Sequence, residues 1–135
     1  MTNTEKKAFL RRYGDNEREI NRLEEELARW ESRAQKVTAS YSLAPAHGCD
    51  GDKVQVAVDA IAEVKAMLYD RLTDATELRR KIQAAIDTVQ DGRLRNLLEH
   101  RYIDGMTWDE VAVAMYLDRR WVITLHGNAL LAMTK

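Results

Sequence analysis

The chain is poor in the residues that break helices and in those that staple small folds: one proline, six glycines and one cysteine among 135 residues. The single thiol, Cys49, excludes an internal disulfide and agrees with a reducing compartment. With so little proline and glycine to interrupt helix interiors, an all-α fold is expected and nothing suggests a β class. Aromatic residues make up only 7% of the chain, and no apolar run reaches the roughly 20 residues that a membrane-spanning helix needs. Met1 to Lys7 lacks the apolar stretch of a signal peptide, so a cytoplasmic protein with no membrane partner is expected. Charge of one sign is not in excess either. The net charge is −1, which works against strong non-specific DNA binding, because that binding comes mostly from Lys and Arg displacing counterions from phosphates. Signatures of catalysis are also missing: no nucleophile elbow, no phosphate-cradling glycine loop and no paired His/carboxylate motif, so the expectation is a protein that is not an enzyme and needs no cofactor.

What the sequence does have is apolar periodicity. Phe9, Tyr13, Asn16, Ile20, Leu23, Leu27, Trp30, Ala34 and Val37 recur at steps of three and four, the a/d seam of a coiled coil, with Glu24, Glu25, Arg29 and Glu31 outside it. Periodicity lapses between Thr38 and Gly51, where Ser, Pro and Gly gather, and residues 38–51 are expected to form a loop. His47, Cys49, Asp50 and Asp52 cluster there, but one His and one Cys without a second such pair fall short of a zinc site, so no metal is expected. From Asp52 to Gln90 there is no helix breaker, and Val54, Val58, Ile61, Leu68, Leu72, Ala75, Ile82, Ile86 and Val89 form a drifting stripe. An amphipathic helix of that length needs a partner along its stripe, and the N-terminal helix supplies one. Residues 1–90 are therefore expected to form a long antiparallel, coiled-coil-like hairpin, and residues 91–135 a separate domain.

Three short helices are predicted in that domain. The first, Arg93 to Ile103, places Leu94, Leu97, Leu98 and Ile103 near one side and is stopped by Asp104-Gly105. Thr107, with Glu110 three residues on, has the spacing of a capping box, in which each side chain satisfies the other's free backbone N–H. Val111, Ala112 and Met115 face inward from the second helix. After a corner at Tyr116-Leu117, Asp118 stands where an N-cap acceptor is wanted for a third helix, whose buried stripe is Val122, Leu125, Ala129, Leu130 and Met133. Trp108 is expected to pack over the first helix, His126 to be structural, and Gly127 to permit a close helix approach. Two helices joined by a turn of a few residues, with the small Ala112 at their crossing, suggest a helix-turn-helix. Asp91 to Lys135 is not basic: Arg93, Arg95, Arg101, Arg119, Arg120 and Lys135 are balanced by Asp91, Glu99, Asp104, Asp109, Glu110 and Asp118.

Arg95, Leu98, Arg101, Tyr102, Gly105, Thr107, Glu110 to Ala112, Val122, Leu125, Ala129 and Leu130 together resemble, without a gap, region four of bacterial sigma factors. More closely, the stretch from Arg101 to Tyr116 followed by Leu125 to Leu130, behind a long helical part, resembles the phage-encoded, sigma-region-four-like regulators of the ArpU and RinA type. The resemblance implies that the positions of Arg119, Arg120 and Thr124 face DNA bases. It also makes Trp121 and Ile123 candidate DNA-binding positions; these are usually basic in the pattern, whereas an indole and an aliphatic side chain cannot pair with phosphate. A regulator of phage or prophage, late, genes is the function so implied, with double-stranded DNA, RNA polymerase and a second copy of the chain as the partners to consider.

Two other classes stay open. A non-catalytic phage assembly protein, such as a small-terminase-like subunit of DNA packaging, also joins a helix-turn-helix to an oligomerising helical part. In a third reading, Trp121 and Ile123 turn the same surface toward a protein, as aromatic anchors do at interface hot spots.

Overall fold

The computed structural model describes residues 1–43 and 48–134; the side chains at 38, 40–43 and 48–51 lie outside that description. Among the described residues the fold is all-α, with five α-helices, the two long ones packed against each other. Helix α1 spans Asn3–Leu43, α2 Gly48–Ile86, α3 Gly92–Leu98, α4 Trp108–Met115 and α5 Arg119–Ala132, with a π-helical turn over Glu99–Ile103 following α3. Among the described residues no strand occurs, and no helix is long and apolar enough to cross a membrane.

Helix extends into the segment expected as a loop: α1 continues to Leu43 and α2 begins at Gly48. Composition gave Ser too much weight as a helix breaker, since it is only weakly unfavourable in helices while Pro is the strong interrupter. Pro45 and His47 fall outside the described residues, as do the side chains of Cys49 and Asp50, so the cluster noted there lies outside them too. Among the described residues, no group of three His, Cys, Asp or Glu could hold a metal ion. At its other end α2 stops at Ile86 rather than Gln90, and the turn that follows is tied by Thr88, whose hydroxyl donates to the Ala85 carbonyl at 2.6 Å.

By contacts the chain forms two compact units, Arg18–Thr73 and Met1–Glu17 with Asp74–Lys135. In the first, Ile20, Leu23, Ala57 and Val64 are buried. Trp30, Arg33 and Val37 of α1 line one groove with Asp52, Val56 and Ala57 of α2, which sets the two helices antiparallel. The second unit holds the larger core. Leu97, Leu98, Val111, Val122 and Leu130 meet there with Leu10 of α1, Ile82 and Ile86 from the end of α2 and Val89 from the turn after it, all fully buried or nearly so.

Three local devices shape this unit. Asp91 caps α3 by accepting from the Arg93 N–H at 2.9 Å, while the Arg95 guanidinium donates to the carbonyls of Val89 and Gln90. Thr107 and Glu110 form the expected capping box at the start of α4. Gly105, at φ 72°, adopts a left-handed conformation open to glycine at no steric cost, just where the π turn ends.

Candidate nucleic-acid interface

Helix α5 divides sharply into two faces. Val122, Leu125, His126, Ala129, Leu130 and Met133 are buried, at the i, i+3, i+4, i+7 spacing that puts them along one side. Arg119, Arg120, Trp121, Ile123 and Thr124 are all exposed. The five candidate positions thus share the solvent-facing part of the first turn and a half of α5. Trp121 is 47% exposed, so it does not close a groove between helices as a core residue would. Ile123 is 45% exposed.

A three-residue turn, Tyr116 to Asp118, fixes the placement of α5. Tyr116 takes the left-handed conformation at φ 57° and ψ 40°, and the Leu117 N–H reaches back to the Ala112 carbonyl at 2.9 Å, a 6→1 closure that ends α4. Asp118 has the extended backbone of an N-cap, yet its side chain makes no capping hydrogen bond. Sequence spacing placed this residue correctly and overestimated its bond.

The two arginines differ. Arg119 Nε lies 3.4 Å from Asp109 Oδ1 on α4, in an exposed pair with side chains 59% and 81% accessible, so its contribution to stability is small. Arg120 stands one turn before Thr124, whose hydroxyl donates to the Arg120 carbonyl at 3.1 Å. Arg120 and Thr124 therefore share a face, with Arg119 offset toward α4. Both cations occupy the end of a helix where the backbone dipole is positive, an arrangement that costs each of them a few tenths of a kcal/mol to about 1 kcal/mol. Stability alone favours carboxylates there.

Beneath this surface lies a polar and aromatic stack that fixes α5 against the π turn and α4. The His126 ring, 5% exposed, shares a 2.7 Å hydrogen bond between Nε2 and the Tyr102 hydroxyl. Trp108 meets the same ring edge-on with centroids 4.7 Å apart, and the Arg101 guanidinium covers Trp108 at 4.4 Å while donating to the Met106 carbonyl. Trp108 so packs between Arg101 and His126. Burial lowers the His126 pKa to about 4, with Lys7, Arg101 and Arg11 adding repulsion, and burial raises that of Tyr102. The ring is neutral at pH 7.

Lys6 was missed in the sequence. Its ammonium, buried, donates to the carbonyls of Leu130 and Met133, both at 2.7 Å, and so satisfies acceptors at the C-terminus of α5 that the helix leaves open. No local signal could find this contact, because the partners are 124 and 127 residues apart. Gly127 departs from expectation. A Cβ built there meets nothing within 4 Å, so no close helix approach requires it.

No family model, curated protein or solved structure compared with the chain matches it.

Proposed function

We propose that the chain is a DNA-binding transcriptional regulator of phage or prophage genes that uses α4, the turn and α5 as a helix-turn-helix, with α5 entering the major groove. One observation carries the reading: Arg119, Arg120 and Thr124 stand exposed at the start of a helix whose opposite face is core. That is the part of a recognition helix that meets base edges or the phosphates beside them. Guanidinium forks suit guanine edges and phosphates alike, and two of them at a helix N-terminus add to the attraction of the free N–H groups for anions. The resemblance to sigma region four adds RNA polymerase as a second partner of the same domain.

The near-neutral charge makes a single domain a weak binder, so the reading requires discrimination by sequence more than bulk attraction. Selection of duplexes from a random pool with the full chain at low salt tests it. We expect enrichment of a recurrent short motif; a pool that stays unenriched after repeated rounds contradicts the proposal.

The apolar content of the same surface favours one alternative. Trp121, Ile123 and Leu131, the last 71% exposed, all lie on α5 outside its core face, and an apolar surface of this kind suits a protein partner better than a phosphate backbone. In that reading the pool is not enriched.

A further inference from the structure

Helix α2 carries more apolar surface than one partner helix can cover. Ala57 and Val64, seven residues apart, are buried in the unit formed with α1. Roughly a fifth of a turn around the helix from them, as 3.6 residues per turn requires, a second row recurs: Val54, Val58, Ile61, Lys65, Leu68 and Leu72, at steps of four, three, four, three and four. That is the a/d spacing of a coiled-coil seam. Val58 is 51% and Leu72 48% exposed, while Val54, Ile61 and Leu68 are partly exposed. Beside the row, Ala62 and Ala66 are exposed and small enough to let another helix approach closely.

We infer that this second seam is a homodimer interface in which α2 of one copy lies antiparallel to α2 of another. The row is self-complementary about its midpoint near Glu63. Antiparallel pairing sets Val54 against Leu72, Val58 against Leu68 and Ile61 against Lys65, a small or branched side chain against a longer one each time, which keeps the helix spacing even. Parallel in-register pairing instead sets Lys65 against Lys65, the one charge on the seam facing its own copy, which a polar seam position disfavours in choosing orientation. A two-fold interface of this kind uses the same patch on both copies. The seam is about 27 Å long at 1.5 Å per residue, and so short a contact belongs with the weak, concentration-dependent interfaces. The dimer does not rest on the DNA reading, and a chain without DNA affinity leaves it standing.

Sedimentation equilibrium of the full chain tests the seam. We expect dimer to dominate at about 200 µM, a concentration that reveals even a weak association of tens of micromolar. Val58→Glu with Leu72→Glu should give a monomer of unchanged helical circular dichroism, since both positions are exposed. Lys65→Leu should tighten the dimer tenfold or more. In a Cys49→Ser background, chains with Val54→Cys should form disulfides with chains carrying Leu72→Cys and not with one another. A monomer at about 200 µM, a dimer indifferent to the Val58→Glu, Leu72→Glu pair, or Val54→Cys chains that cross-link to themselves would each overturn the inference.

Discussion

His126 ties the pH response of the fold to the stack beneath α5. Its ring is buried against Trp108 and bonded to Tyr102, and burial holds its pKa near 4, below the 6.5 of an exposed histidine. Between these values the unfolded chain binds a proton that the folded chain resists, so stability is full above pH 6.5 and is lost as pH falls toward 4. The loss is at most about 3 kcal/mol, from 1.36 kcal/mol per pH unit. Urea midpoints measured from pH 7 to 4 should fall accordingly, and His126→Gln should flatten that dependence. An NMR titration placing the His126 pKa near 6.5 contradicts this account. Lys6 acts at the same scale and by the same logic, since a buried ammonium is tolerable only where carbonyls such as those of Leu130 and Met133 surround it.

Helix α5 bears a substitution that separates fold from function. Gly127 has open space where a Cβ would sit and lies in a helix interior, so Gly127→Ala should raise stability by about 0.5–1 kcal/mol in urea melts. A loss of stability would mean that a close contact needs the glycine after all. At this scale much was legible in the sequence. The capping box at Thr107 and Glu110, the stop at Gly105, the corner at Tyr116 and the buried stripe of α5 all follow from local spacing, because caps and periodicity act within a turn or two. What stayed hidden acts at long range or against local preference. The Tyr102–His126 bond spans 24 residues, and the π turn that aims Tyr102 has no composition of its own. The helical continuation through 38–43 runs against a composition that is only weakly unfavourable to helix. Arg119, Arg120 and Thr124 were legible as solvent-facing because they fall off the buried stripe of Val122 and Leu125; that Arg119 leans to Asp109 was not.

At the scale of the molecule, the core behind α5 is assembled from distant parts of the chain. Leu10 of α1, Ile82 and Ile86 of α2 and Val89 of the turn after it lie in one cluster with the residues of α3, α4 and α5, so a fragment of residues 91–135 should be largely unfolded by circular dichroism, whereas one that also joins residues 1–17 and 74–90 through a short linker should be helical. Cooperative melting of the isolated 91–135 fragment contradicts this. The same assembly presents one helix face to solvent with two arginines, a tryptophan, an isoleucine and a threonine on it, and the proposal that this face reads DNA is the central claim. Fluorescence anisotropy with a duplex recovered by selection and a scrambled one, at two salt concentrations, tests it most directly. Arg120→Ala should keep the fold and weaken binding to the selected duplex by about 1–3 kcal/mol if it contacts a base, with Arg119→Ala giving a smaller loss because Asp109 already engages that side chain. If the contact is to phosphate, both duplexes should weaken alike and the salt dependence should become shallower. Unchanged binding of both duplexes by the Arg119→Ala, Arg120→Ala double variant would contradict the account and remove α5 from DNA recognition.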